Sequence, residues 1–186
     1  TLQGKDNSAL DIVVKRGRIY GDMDIYGKYS DQGDYSTDAT SIGVEYSKRF
    51  DGGNNVYFEP QAQLTFGRID GYDYVSAKGI RVAYDDINSL IGRLGIVAGK
   101  AFSRGDVYVK ASLLHEFSGD SSVTMLAANG ESYMEDQDYG DTWLEVGIGG
   151  NITLGKNCEL YGDIERSFGG DVTKNWGANV GFRYSF

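Results

Sequence analysis

Few side chains in this sequence carry the chemistry expected of an enzyme active site. His115 is the only histidine and Cys158 is the only cysteine. His115 shares its strand parity with Leu113 and Phe117, so it is predicted to lie on an apolar face, where an imidazole is a poor general base for a polar site. A lone cysteine is more often an inert thiol than a nucleophile. The sequence contains no HExxH, CxxC or glycine-rich phosphate motif. We therefore predict no enzymatic activity, no catalytic residue, and no cofactor or metal site.

Charged residues instead recur at alternate positions of short segments, opposite apolar residues. This period of two is expected of strands with one polar and one apolar face. The polar face is predicted to carry Lys15, Glu45, Glu59, Arg93, Lys110, Glu116, Glu145, Asp163 and Glu165. These residues can line a hydrated channel, or pair with one another and keep the polar face rigid, and the sequence leaves both roles open.

Composition narrows the class of protein further. The chain has 186 residues, which suits one domain. Its net charge of −9 argues against binding to nucleic acid, because no basic stripe is available for phosphates. It has 27 glycines, 14 tyrosines and one proline, a composition typical of many short strands joined by turns. No apolar run approaches the roughly 20 residues of a membrane helix. A signal peptide is not evident, so we expect a mature product or the C-terminal piece of a longer precursor.

Alternation of apolar and polar residues predicts about eight antiparallel strands. They are expected near residues 9–17, 42–50, 56–66, 90–99, 107–117, 142–154, 160–168 and 176–186. Residues 1–8 are predicted to be loose. Residues 18–40 are predicted to form a long loop, into which the first strand can continue for a few residues. Short connections at 51–55, 103–106 and 155–157 alternate with long polar ones at 69–88 and 118–140. Such alternation is typical of outer-membrane β-barrels, which have short periplasmic turns and longer extracellular loops.

The last predicted strand, residues 176–186, has the clearest pattern. Its apolar face carries Trp176, Ala178, Val180, Phe182, Tyr184 and Phe186, and its other face begins with Gly177 and includes Gly181. An alternating strand that ends on an aromatic residue suits the last strand of an outer-membrane barrel. This ending resembles the C-terminal β-signal that the barrel-insertion machinery recognises. We predict that Gly177, Gly181, Phe182, Tyr184 and Phe186 form that signal. The alternative is the terminal edge strand of a soluble β protein.

Several segments together resemble one family, the C-terminal β-barrel translocator domain of autotransporters, the type V secretion proteins. They are residues 57–64, 89–95, 108–110, 113–119, 143–147, 160–161, 167–170 and 182–186, in family order. The resemblance implies a twelve-stranded transmembrane barrel of which about eight strands are present. Residues 1–186 would then be the C-terminal part of the barrel domain, and the first strands, the pore helix and the secreted passenger would lie upstream.

The resemblance also implies a function and partners. The expected function is anchoring in the Gram-negative outer membrane and export of an N-terminal passenger. The expected partners are outer-membrane lipid and lipopolysaccharide, the barrel-assembly machinery and periplasmic chaperones during insertion, and the chain's own passenger. An eight-stranded piece must close on itself or find a partner for its edges, because unpaired backbone is unfavourable in lipid. The alternative function is a small closed eight-stranded barrel that acts as an adhesin or structural protein.

Overall fold

The computed structural model describes residues 1–26, 30–155, 157–170 and 175–184. These residues form an all-β structure with one short 3₁₀ helix, Gly53–Asn55. The strands are β1 Leu2–Gln3, β2 Ser8–Ile25, β3 Asp31–Lys48, β4 Phe50–Asp51, β5 Val56–Ile69, β6 Tyr72–Val75, β7 Arg81–Tyr84, β8 Ile87–Phe102, β9 Gly105–Glu116, β10 Ser121–Leu126, β11 Ser132–Gln137, β12 Thr142–Gly155, β13 Cys158–Phe168 and β14 Gly177–Tyr184. Within the described ranges, no helix is long and apolar enough to cross a membrane.

Most of the chain forms one large antiparallel sheet, which we call the wall sheet. Its strand order is β1-β2-β3-β5-β8-β9-β12-β13-β14, with β4 paired to the side of β5. The eight long strands in this order follow the sequence as a meander, each pairing with the next one. All eight predicted strands are therefore present, and the predicted all-β antiparallel fold is confirmed.

Alternation of side chains gives the wall sheet two different faces. Register partners place Val44, Leu64 and Gly92 in one row across β3, β5 and β8, and Glu45, Gln63 and Arg93 in the next row. Because successive side chains point to opposite faces, every strand contributes apolar residues to one face and polar residues to the other. The apolar face is convex and uncovered: Leu94, Ile148 and Val180 are 66%, 60% and 81% exposed.

The segment 18–40 was predicted as a long loop, and that prediction is wrong. β2 and β3 pair without interruption from Ser8 opposite Lys48 to Ile25 opposite Asp31, so only residues 26–30 connect them. The outer half of this hairpin carries polar residues on both faces, with Asp22 and Asp34 on one and Asp31 and Thr37 on the other. One face is open to water, and the other meets β6 and its flanking residues through polar and aromatic contacts of Thr37 and Tyr35. Neither face therefore carries a regular apolar row, so periodicity could not reveal the strands.

The predicted loops at 69–88 and 118–140 also contain strands. They supply β6, β7, β10 and β11, which form a second antiparallel sheet in the order β11-β10-β7-β6. We call it the small sheet. It lies at the same end of the wall strands as the β2–β3 connection. The connections at the other end are short, at residues 49–55, 103–104 and 156–157.

The N-terminal segment was predicted to be loose, and the structure corrects this. Leu2 and Gln3 form β1, which pairs with Leu10 and Ala9 of β2. In the turn that follows, Lys48 Nζ donates to Asp6 Oδ2 at 2.7 Å. This bond, together with one from Ser8, holds the pKa of Asp6 well below its usual range.

The wall sheet has two open edges. In the part of the chain that the structure describes, its path begins at β1 and ends at β14, and no pairing joins β14 to β2. β1 covers only Ala9 and Leu10, so the outer edge of β2 beyond those residues has no strand beside it among the described residues. The described sheet is therefore a curled part of a barrel wall.

Candidate functional site: the concave face of the wall sheet

The concave face of the wall sheet encloses a polar trough of about 610 Å³. Strands β3, β5, β8, β9, β12 and β13 position most of its side chains, and these have the parity opposite to the apolar face. Arg49, between β3 and β4, and Val146, on the apolar parity of β12, also line it. Six of the charged residues singled out from the sequence line it: Glu45, Glu59, Arg93, Lys110, Glu145 and Glu165.

Arg93 is the centre of the larger polar network in the trough. Its guanidinium donates to Glu45 Oε2 at 2.8 Å, Gln63 Oε1 at 2.7 Å, Gln61 Oε1 at 3.1 Å and Ser112 Oγ at 3.2 Å. One arginine side chain therefore connects β8 with β3, β5 and β9. Gly95 makes room for it, because a Cβ there would lie 2.7 Å from Ser112 Oγ and 3.0 Å from Arg93 Nη1.

Lys110 forms the second network. Its Nζ lies 2.7 Å from Asp163 Oδ2 and 3.0 Å from Glu165 Oε2, and all three side chains are mostly buried. Lys110 and Glu165 are on either side of Gly147 in the same row of the sheet. A Cβ at Gly147 would lie 2.6 Å from Lys110 Cε, so the glycine lets the lysine cross β12 to reach both acids.

The remaining predicted polar-face residues occupy different places. Glu59 accepts a hydrogen bond from Gln61 Nε2 at 2.9 Å, and Glu145 accepts one from Trp143 Nε1 at 3.3 Å. Lys15 has the concave parity, opposite Ser41, but is exposed and lies outside the trough.

Glu116 also lies apart from the trough, at the end of β9. It is 7% exposed and accepts hydrogen bonds from Ser89 Oγ at 2.5 Å, Leu90 N at 2.7 Å and Ser118 N at 3.1 Å. Its carboxylate thus ties the start of the 117–120 connection to β8, so Glu116 has a structural role at this end of the sheet.

Sequence reasoning missed a set of tyrosines that lie over glycines of the neighbouring strand. On the concave face, Tyr57 covers Gly99 and Tyr108 covers Gly149. A Cβ added at these glycines would meet the tyrosine Cζ at 2.5 Å and 2.6 Å. Tyr161 covers Gly181 in the same way. The signal in the sequence was the abundance of Gly and Tyr at polar-face positions, but pairing them requires the strand register.

β14 carries the residues predicted as the β-signal. It pairs with β13 from Cys158 opposite Tyr184 to Glu165 opposite Gly177. Gly177 and Gly181 have the concave parity, whereas Phe182 and Tyr184 point outward and are more than half exposed. Phe186 lies outside the described residues. Among those residues, the second edge of β14 pairs with no strand.

His115 and Cys158 lie away from the trough. His115 faces outward on β9, with Nδ1 2.7 Å from Thr142 Oγ1 and its ring edge-on to Phe117 at 4.5 Å. Cys158 is a free thiol at the start of β13. Across the described residues, no group of three or more His, Cys, Asp or Glu side chains could hold a metal ion.

An apolar convex face, a polar concave face and a long meander define an outer-membrane type of β-barrel wall. Comparison with known proteins agrees. The family model described as "Autotransporter beta-domain" matches residues 1–165. The chain belongs to the autotransporter β-domain family, as the resemblance of its segments implied.

Individual relatives show how much of such proteins the chain represents. It is 32% identical over 184 residues to the pertactin autotransporter of Bordetella parapertussis. The matched region covers 95% of this chain and 19% of that protein. It is 31% identical to the BrkA autotransporter of Bordetella pertussis over 186 residues, 18% of that protein. The crystal structure of the β domain of the Bordetella autotransporter BrkA matches with a TM-score of 0.76 and 27% identity, over 100% of this chain and 70% of that one. The chain thus spans about a fifth of the length of these curated relatives.

Proposed function

We propose that this chain is the C-terminal part of a translocator barrel that anchors in the outer membrane of a Gram-negative bacterium and allows export of an N-terminal passenger. The observation that carries the proposal is the two-faced wall sheet with two open edges, whose whole length matches the BrkA β domain. In this role residues 1–186 are the C-terminal part of the barrel domain, and the chain needs no catalytic residue of its own.

The open edges support the view that further strands complete the barrel. Unpaired backbone N–H and C=O groups in lipid cost several kcal/mol each. Among the described residues, the outer edges of β2 and β14 each present a row of such groups with no strand beside them, apart from the two residues of β2 that β1 covers. The match leaves about a third of the BrkA β domain without a counterpart here. The family resemblance implies twelve barrel strands, and the described wall has eight long ones. The unmatched part of the BrkA β domain is about the size of the four strands that are missing.

The trough suits passage of a polypeptide more than tight binding of one. Arg93 is neutralised by Glu45, and Lys110 by Asp163 and Glu165. Since these charges are already paired, a passing chain meets hydrated but satisfied polar groups and finds little to hold it. In this proposal, the trough residues keep the lumen open and wet, and Lys15 extends the polar lining toward the open edge.

The lengths of the connections give the proposed orientation. The end that carries the small sheet and the β2–β3 connection faces the cell exterior, and the short turns at 103–104 and 156–157 face the periplasm. β14 then runs from the outside toward the periplasm, so that its last residues lie where periplasmic factors can reach them.

Surface display of the passenger tests the proposed function. The gene's full-length precursor would be expressed in Gram-negative cells, and the passenger would be probed with external protease. We expect the passenger to be degraded from outside intact cells, and a precursor truncated before β14 to leave it protected. The proposal is overturned if the barrel is inserted and heat-modifiable but the passenger stays protected. If residues 1–186 alone form a heat-modifiable barrel, the small closed barrel becomes the better description.

We further propose that β14 is the strand through which the barrel-assembly machinery engages the chain, after periplasmic chaperones have delivered it. The free edge of β14 and its outward Phe182 and Tyr184 support this role, with Gly177 and Gly181 on the other face and Phe186 as the terminal aromatic residue. Photocrosslinkers belong at Asn179 and Ala178, because a side chain at Gly181 would collide with the Tyr161 ring.

Two results test the role of β14. We expect crosslinks from Asn179 and Ala178 to the assembly machinery in living cells, and none from Val109, which lies mid-wall on β9. Tyr184→Asp should leave synthesis unchanged but prevent insertion into the outer membrane. A heat-modifiable, membrane-inserted Tyr184→Asp barrel, or equal crosslinking from Val109, would overturn the assignment.

A further inference from the structure

The convex face of the wall sheet carries an apolar furrow with an arginine at one end. The furrow has a volume of about 550 Å³ and runs over β8, β9, β12 and β13. Ala98 and Ala111 form its floor between the larger side chains of Ile96, Val109 and Ile148. Small residues flanked by branched ones leave a groove on a face that in a barrel contacts lipid chains.

Arg166 lies at the furrow's end, beside two aromatic rings. Its guanidinium carbon is 5.0 Å from the Phe168 ring centre and 5.7 Å from the Trp176 ring centre. Arg166 is two residues from the end of β13, on the side of the 169–175 connection, and it is exposed on the apolar parity together with Ile164. An outward cation within an aromatic pair at the end of a strand is at the level expected of lipid headgroups.

The other outward arginines at this end of the wall differ from Arg166. Arg16 and Arg18 pair with Asp38, and Arg68 pairs with Asp70 and Asp86 at 2.9 Å and 2.7 Å. No carboxylate pairs with Arg166 within the described ranges, so its positive charge is available to an external anion. A guanidinium binds phosphate through two parallel N–H···O bonds, which makes phosphate the best fit.

We propose that the furrow and Arg166 form a binding site for a phosphorylated acyl lipid, with one acyl chain in the furrow and the phosphate on Arg166. The proposal rests on the proposed function, because the orientation given there places Arg166 in the outer leaflet. The phosphorylated lipid of that leaflet is lipopolysaccharide, and the site is assigned to the phosphates of its lipid A part. Trp176 and Phe168 flank the headgroup and fix the depth of Arg166.

Binding to the purified, folded full-length protein in detergent tests the site directly. The probe is lipopolysaccharide, compared with the same lipid after removal of its phosphates and with phosphatidylglycerol. Fluorescence anisotropy of dye-labelled lipid reports binding, because this readout does not depend on the tryptophans of the full-length protein. We expect Arg166→Gln to weaken lipopolysaccharide binding about tenfold, and Ala111→Phe, which fills the furrow, to weaken it as well.

Arg68→Gln is the matched control, since Arg68 also faces outward at this end but has two acidic partners. Heat-modifiable mobility of every variant would show that each one is folded. Equal affinity of wild type and Arg166→Gln, or of intact and dephosphorylated lipid, would overturn the proposal. Equal binding of phosphatidylglycerol would overturn the assignment to lipopolysaccharide. Because the measurement is made in detergent, it is independent of passenger export, so a failure of translocation and a failure of this site can be told apart.

Discussion

The wall sheet and the small sheet use the same antiparallel pairing but bury their side chains in different ways. The wall sheet leaves large apolar residues such as Leu94 and Ile148 uncovered on one face and gathers ion pairs on the other. The small sheet instead buries Val82 and Val123, at 4% and 7% exposure. The difference teaches that the surroundings of each face set the sequence pattern. A sheet with lipid on one side needs strict alternation of apolar and polar residues, whereas a small sheet in water needs only a few buried apolar residues.

The two sheets are joined by the outer half of the β2–β3 hairpin. Tyr35 of β3 stacks on Tyr72 of β6 at 4.1 Å, and Tyr72 stacks on Tyr84 of β7 at 4.8 Å. Close by, Asp31 Oδ1 accepts a bond from the Lys78 backbone amide at 3.1 Å. The small sheet is thus supported from one side by aromatic stacking and a carboxylate, and it can be weakened without touching the wall.

The largest expected effect belongs to the convex face of the wall. Leu64 is 52% exposed on that face, and Leu64→Arg should destabilise the inserted barrel by about 2–4 kcal/mol if the residue lies near the bilayer midplane. The physical reason is transfer of a guanidinium into hydrocarbon. Unfolding by denaturant in lipid vesicles measures the change.

The neighbour Thr65→Arg is the control for Leu64→Arg. Thr65 has the opposite parity and faces the water of the concave side, where it accepts a hydrogen bond from Gln63 at 3.1 Å. Its replacement should cost much less than that of Leu64. The structure disfavours Gly147 as a control, because a side chain there meets Lys110. Equal costs at positions 64 and 65 would contradict the assignment of the two faces.

Packing of tyrosine over glycine gives the next effect in size. Gly181→Leu places a side chain where the Tyr161 ring lies, so the ring must leave β14 and the wall loses a contact at its edge. Overpacking of this kind costs about 1–3 kcal/mol. Stability of the folded barrel in detergent, compared with wild type, measures it.

A second change separates overpacking from a general need for glycine. Tyr161→Ala removes the ring, so Gly181→Leu should cost little when it is added to Tyr161→Ala. The stability of the double variant should therefore be higher than the sum of the two single costs predicts. Additive costs in this double-mutant cycle would mean that the Tyr161 ring does not determine the residue at position 181.

These two regions also show what the sequence could and could not predict. The wall strands were predictable because residues such as Leu64 and Gln63 must face different solvents at each step along the chain. The Arg93 and Lys110 networks were predictable only as a polar face, since their partners lie up to 55 residues away in the sequence, as Glu165 does from Lys110. The outer half of the β2–β3 hairpin and the small sheet were missed, because Tyr72, Tyr74 and Tyr84 alternate among acidic residues and pack only once the strands have met.

A smaller effect is expected where the two sheets meet. Tyr35→Ala removes the ring that stacks on Tyr72, and such a pair contributes about 0.5–1.5 kcal/mol beyond its buried area. Hydrogen exchange in residues 72–84 should become faster, whereas exchange in β8 and β9 should stay unchanged. Loss of protection throughout the wall strands would show that the small sheet and the wall do not behave as separate regions.

The smallest expected effect is a pH dependence of the same junction. The Ser76 hydroxyl, together with the backbone amides of Gln32 and Lys78, holds the pKa of Asp31 below its usual value. A lowered pKa in the folded state means that the carboxylate's contribution is fully present above the usual value of about 3.9 and is lost as the pH falls through the lowered one. Protection of residues 76–80 should therefore decline only in acid, below about pH 4.

Asp31→Asn isolates this carboxylate from the other acids of the junction. The amide keeps an acceptor oxygen but carries no charge, so residues 76–80 should be less protected at neutral pH and the acid-dependent decline should be smaller. Proteolysis of the folded protein at a series of pH values, using a protease active in acid, follows the same change from the outside. An unaltered acid dependence in Asp31→Asn would assign the effect to other carboxylates and would leave the tyrosine stack as the main link between the two sheets.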